Sequence, residues 1–221
     1  MNISIRLLES NNEIAKKINK AIAEEVNSQI VKNAPRLKKL LVATIPVWIR
    51  TQPEMESLLS QGVPHTLNAE FGLRPGEPND ALEAIINAIV ETIEIRFKKV
   101  DANLVGGVEF RFQPSSFKNL LGLSEGHVIA ASRISGEQHD LHWLEWLLMR
   151  GDEIIVVGYE YTPSSGGSAR GHGRSGGGLM KEGGAWRVPP EFSGVDTDNV
   201  ITRAFDGRER ELTLLLSGLF K

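Results

Sequence analysis

The sequence predicts an α+β fold: a small, mainly antiparallel sheet with a long glycine-tipped hairpin, covered by N-terminal and C-terminal helices. Three observations carry this. Apolar residues recur at helical spacing through the first 100 residues, the period changes to alternation from Val108 onward, and seven glycines crowd residues 164–178 between two strand-like segments. Helices followed by strands, one short helix, more strands and a last helix is the order of an α+β domain. The reading divides the chain into a mainly helical region, 1–100, and an α+β region, 101–221, with the hairpin at 162–188 and a C-terminal helix, forming one compact unit.

Ile3, Ile5 and Leu7 alternate with polar residues and predict a short strand or arm. Ser10 or Asn11 caps the helix that follows, in which Ile14, Ile18, Ile22, Val26 and Ile30 form a stripe expected to pack. Pro35 is expected to break that helix. A second one then carries Leu37, Leu40, Leu41, Ile45 and Trp48, kinked or ended by Pro46. After Pro53 a further turn of helix runs from Glu54 to Ser60. Glycines and prolines then punctuate residues 62–78, where LNAEFG is ambiguous. Asn79 or Asp80 caps the clearest helix, with Leu82, Ile85, Ile86, Ile89, Ile93 and Phe97 on one face and an end near Val100.

Val108, Phe110 and Phe112 read as one strand and Val128 to Ile134 as another. Asp140 is expected to cap a helix through LHWLEWLLMR that Gly151 terminates. Glu153 to Tyr161 is the strongest strand, and Leu179, Met180 and then Ala185 to Val188 return beside it until Pro189 and Pro190 stop the sheet. Asp196 or Thr197 caps a last helix that runs on to Leu219.

Composition narrows the function classes. With 41% hydrophobic residues in 221 the chain builds a real core, and zero cysteines exclude a disulfide scaffold, thiolate metal ligands and a Cys nucleophile. No apolar run reaches the roughly 20 residues of a membrane span, and no membrane partner is expected. Residues 1–50 hold nine Lys/Arg against four Asp/Glu, so the remainder carries net −8 for a total of −3. Such polarity suits head-to-tail contacts between copies, although a solvated lysine-rich helix face is the better explanation.

Gly171-His172-Gly173-Arg174-Ser175-Gly176 matches G-x-G-x-x-G, but about ten residues separate it from the preceding strand and no helix follows. A chance match in glycine-rich sequence is the expectation, and no nucleotide or other cofactor is expected. Arg170, His172 and Arg174 offer cationic donors without an aromatic residue in the loop to stack on bases, which favours a finger that orders against a neighbouring protein. His139, His142 and Glu145 have helical i, i+3, i+6 spacing, yet lack the H-E-x-x-H layout and are expected to be polar helix positions, not metal ligands. There is no G-x-S-x-G elbow, and the carboxylate pairs sit at helix surfaces and caps, so no catalytic residue is expected.

GRSGGGLM, WRVPPEFSG and NVITRAF occur in that order. The last 80 or so residues thereby resemble the C-terminal part of tailed-bacteriophage neck and tail-completion (head–tail connector) proteins. The resemblance implies a non-enzymatic virion component, assembled in the host cytoplasm, that forms a ring with copies of itself. Its partners would be other phage neck, adaptor or tail proteins, with passing contact to DNA in a central channel. On this reading Arg170, His172 and Arg174 reach a neighbour, Trp186, Arg187, Pro189, Pro190 and Phe192 fix the exit from the sheet, and Arg203 with Asp198 and Asn199 positions the final helix. A tail terminator or head-closure protein of the same particle is the nearest alternative. A nucleotide- or nucleic-acid-binding enzyme using the glycine loop is the alternative of another class.

Overall fold

The computed structural model describes residues 9–60, 63, 66–71, 73, 75–131, 138–163 and 178–218. The expected strand at Ile3 to Leu7, the glycine-rich tip and Leu219 lie outside them. The described chain is mixed helix and strand, helical at both ends, and every strand pairing is antiparallel. Among the described residues the strands form three separate two-stranded pairs. By contacts the chain divides into two compact units: Met1–Ala43 with Ile93–Phe112 and Arg208–Lys221, and Thr44–Thr92 with Gln113–Gly207.

Helix α1 runs unbroken from Asn11 to Arg50. Ser10 caps it reciprocally with Glu13: the Ser10 amide donates to Glu13 Oε2 at 2.8 Å, and the Glu13 amide donates to Ser10 Oγ at 3.3 Å. Pro35 and Pro46 do not end it, contrary to the expectation from sequence. Each proline costs one backbone bond, and Pro35 leaves the carbonyl of Val31 without its usual donor on a residue that is 71% exposed, where water can take the acceptor. Burial of Leu37, Leu41, Ile45, Trp48 and Ile49 along the same helix offsets the loss. The first stripe is only partly used, because Ile18 and Ile22 are exposed and Ile30 is buried, while Ala23, which is outside the stripe, is buried as well.

In the first unit, strands β1 (Glu94–Lys98) and β2 (Gly107–Arg111) pair so that Ile95 faces Phe110 and Phe97 faces Val108. Glu94 lies opposite Arg111 and Arg96 opposite Glu109, two cross-strand pairs of opposite charge. A small core of Ala23, Ile30 and Val100, with Val26 and Val108 against it, joins α1 to this ribbon. Asn27 clamps the joint: its Nδ2 donates to the Val100 carbonyl at 2.9 Å, and its Oδ1 accepts from the Val100 amide at 2.8 Å.

The second unit holds the larger core. Helix α2 spans Pro53–Leu59, and the ambiguous LNAEF stretch is a fully buried helix α3, Leu67–Phe71. Helix α4, Glu77–Glu91, starts after Gly76 (φ 98°) with Pro78 in its first turn and buries Ala81, Leu82, Ile85, Ile86 and Ile89. It ends at Thr92, about eight residues before the expected end. Helical spacing and alternation coincide at Ile93 and Phe97, and the pairing that sets Glu94 opposite Arg111 and Arg96 opposite Glu109 favours the strand.

After the short helix α5 (Lys118–Leu121) and a 3₁₀ turn at Ser124–Gly126 come strands β3 (Val128–Ala131) and β4 (Gln138–Leu141). Asp140 is therefore a strand residue and not a helix cap. His142 precedes helix α6, Trp143–Glu145, which continues as a π-helical turn over Trp146–Arg150 and stops at Gly151 with φ 60°. Strands β5 (Val156–Pro163) and β6 (Gly178–Trp186) pair antiparallel, and a register shift between Val157 and Tyr159 coincides with Gly184 at φ 66°. Helix α7, Val200–Phe205, is capped by Asn199 and not by Asp196 or Thr197, and Gly207 (φ 70°) separates it from α8, Glu209–Ser217.

Candidate functional site

The exit from β6 is built as a rigid frame. Trp186 and Val188 are buried, Arg187 between them is exposed, and the backbone turns at Pro189, whose carbonyl accepts from the amides of Phe192 (2.9 Å) and Ser193 (3.1 Å). Pro190 is exposed and Phe192 half-buried. Gly194 then threads against the π turn, donating its amide to the Trp146 carbonyl at 3.0 Å and accepting from the Gly151 amide at 2.7 Å. A Cβ at Gly194 would overlap the Leu147 carbonyl, so only glycine fits this approach.

Asn199 closes the frame. Its Oδ1 accepts from the amides of Ile201 (3.0 Å) and Thr202 (3.1 Å), the Thr202 hydroxyl accepts from the Asn199 amide at 2.8 Å, and its Nδ2 donates to the Val195 carbonyl at 2.8 Å. Arg203 ties α7 to three places at once. Nε donates to Asp198 Oδ1 (2.7 Å), Nη1 to Glu54 Oε1 (2.7 Å) and Nη2 to the Ser193 carbonyl (3.0 Å). The bond from Arg203 holds the Asp198 carboxyl below its usual range. Glu54 is almost fully buried, and its second oxygen has no partner. Within the same unit, Glu70 is buried, and loss of hydration together with Glu191 raises its carboxyl to about 7.

A second cluster lies at the end of β3 and β4. The last rung pairs Val128 with Leu141, so His127 and His142, the next residue on either side, meet across the end of the ribbon with ring centroids 3.8 Å apart. Asp140 stands two residues before His142, on the same face of the strand. Its Oδ2 is 3.1 Å from His127 Nδ1 and 3.3 Å from His142 Nε2. His127 Nε2 lies 3.4 Å from the Leu121 carbonyl. The surroundings are pinned by Trp143, fully buried, whose indole N–H donates to the Glu125 carbonyl at 3.2 Å and whose ring packs 5.2 Å from that of Phe71. His127 also lines an open cavity of about 510 Å³ together with Glu77, Asp80, Glu83 and Glu125.

No family model, curated protein or solved structure matches this chain.

The structure thus places Trp186, Arg187, Pro189, Pro190, Phe192 and Arg203 in one continuous frame, with Arg203 bonded within its own unit. Arg170, His172 and Arg174 lie outside the described residues. Of the three polar residues with helical spacing, only His142 joins the second cluster. Glu145 is paired with Arg150 at 3.1 Å, and the His139 side chain is not among those described. His127 and Asp140 were missed because 12 residues separate them in sequence and only the β3–β4 register brings them together. The available signal was Asp140-Leu141-His142 read with period two instead of 3.6.

Proposed function

We propose that this chain is a structural protein of a tailed-bacteriophage virion, forming part of a ring in the neck that completes the tail or connects it to the head. The observation that carries the reading is the frame from Trp186 to Phe205, which contains the WRVPPEFSG and NVITRAF motifs of the resemblance and is locked by Gly194, Asn199 and Arg203. Those motif residues are accounted for by one job: fixing the foot of the β5–β6 arm against α7.

In this reading the arm carries the segment 164–177 to a neighbouring subunit, and Arg170, His172 and Arg174 bind that neighbour's carboxylates. Arg187 and Pro190, exposed at the foot of the arm, extend the contact. Trp186, Phe192 and Arg203 act from inside the frame. Contacts between different patches of identical copies close into a ring. Among the described residues no helix is long and apolar enough to cross a membrane.

The test is deletion of Ser165–Gly177 in the virus that encodes the chain. The purified deletion protein keeps its circular dichroism and thermal transition, while the yield of intact tailed particles falls to background. An unchanged yield of intact particles, or absence of the chain from purified virions by mass spectrometry, overturns the proposal.

A further inference from the structure

We propose that His127, Asp140 and His142 form a binding site for a zinc-type divalent transition-metal ion, a site that does not depend on the neck reading. One atom from each residue lies within 4.8 Å of the other two. Ligand atoms about 2.0–2.1 Å from a tetrahedral ion stand about 3.3 Å apart. The Asp140 oxygen is 3.1 and 3.3 Å from the two imidazole nitrogens. Two imidazoles and one carboxylate are a donor set suited to zinc, and they leave a fourth position for water or a donor from outside the chain.

The hydrogen-bond inventory of His127 supplies a second, independent observation. The Leu121 carbonyl can only accept, so its contact with His127 Nε2 places the ring proton there. In the neutral ring Nδ1 is then a bare lone pair, and it faces a carboxylate oxygen, also an acceptor, at 3.1 Å. Two acceptors at that distance need a positive centre between them, either a second ring proton on His127 or a bound ion. A metal ion supplies it for His127 and His142 together, and the Nε2–H to carbonyl contact is the outer bond that commonly orients a metal-ligating histidine.

Position favours occupancy as well. The side chains of Asp140 and His142 are about half exposed, so an ion can enter from solvent. Glu77, Asp80, Glu83 and Glu125 around the adjoining cavity raise the local cation concentration. The bound ion would join the residues on either side of the ribbon's end and fasten the start of α6 to the turn before β3.

Tag-free full-length protein, stripped with EDTA, is titrated with zinc chloride by calorimetry and with cobalt(II) chloride by visible absorption. One equivalent of zinc binds in the micromolar range or tighter, the thermal midpoint rises with zinc and falls back with EDTA, and cobalt gives the intense visible bands of a tetrahedral site. His127→Ala, Asp140→Asn and His142→Ala each weaken zinc binding by at least about 10-fold, and Glu145→Gln leaves it unchanged. The cobalt spectrum of the unaltered protein reads coordination directly, should a variant fail to fold. Zinc binding weaker than about 1 mM (roughly −4 kcal/mol) overturns the proposal. So does binding that survives His142→Ala and disappears in Glu77→Gln or Glu83→Gln, because the ion then sits on the acidic rim.

Discussion

Glu70 and Glu54 are both carboxylates in the core of the second unit, and they respond to solution conditions in different ways. Glu70 is raised to about 7 by burial and by Glu191, whereas in the unfolded chain it titrates near 4.5. Between those values the folded protein holds the proton more tightly, so stability falls as pH rises from about 4.5 to 7 and is lowest above that window, by roughly 2–3 kcal/mol. Replacing Glu70 with Gln removes this component, and denaturant melts at pH 5 and pH 8 will show a smaller difference in the variant than in the parent protein. Equal differences in both would refute the assignment. Glu54 is instead compensated by Arg203. Arg203→Ala strands a buried charge and is expected to cost about 3–5 kcal/mol. The double variant Glu54→Gln with Arg203→Met removes the charge from both sides and should be the more stable of the two in the same urea titration. If it is no better than Arg203→Ala, the charge is not what makes the single change costly.

At the level of elements, the frame depends on one backbone approach and one cap. Gly194→Ala pushes a methyl group into the Leu147 carbonyl and must displace either the π turn or the 189–194 turn, at about 2–4 kcal/mol. Asn199→Ala removes two bonds to helix amides and one to the Val195 carbonyl, at about 1–2 kcal/mol. Thermal melts that leave both variants within 0.5 kcal/mol of the parent would mean the frame is not rigid. The same elements show how far sequence reaches. The alternation at Val108–Phe112, the Gly151 stop and the end of the strand before Pro189 follow from local chemistry, and they were legible. Helix α1 was not, because whether a proline breaks a helix depends on what the rest of the helix buries, and Leu37, Leu41, Ile45 and Trp48 decide that through tertiary contacts. The cap of α7 was misplaced because Asp196, Thr197 and Asn199 are all good caps by type. Only the reciprocal bond with Thr202, three residues on, singles out Asn199. The His127–Asp140–His142 cluster was hidden for a related reason: a helical period was assigned to Asp140 and His142, and the partner across the strand pair cannot be found from either residue alone.

The two units differ in how much they bury, and α1 contributes to both. Buried side chains of the first unit come to Ala23, Ile30, Leu37, Leu41, Ile93 and Val100 among the described residues, and α8 buries none. The second unit buries Ile45, Trp48, Ile49, Met55, Leu58, Leu67, Leu82, Ile85, Ile89, Trp143, Leu147 and Ile201, with edge-to-face packing of Trp48 on Phe205 at 5.7 Å. Opening free energies follow local apolar burial, so the smaller core opens first. Amide exchange read by mass spectrometry should therefore grade along a single continuous helix: peptides from residues 11–30 exchange early, and peptides from 44–50 exchange only with the slow set that includes α4. Substituting Asn27 by Ala cuts both bonds to Val100 and should speed exchange in 11–30 and 94–111 while leaving 44–50 unchanged, because those bonds lie wholly within the first unit. Uniform protection along α1, or a response to the Asn27 change that reaches 44–50 with equal size, would show that the chain opens as one cooperative body and that the division in burial has no energetic counterpart.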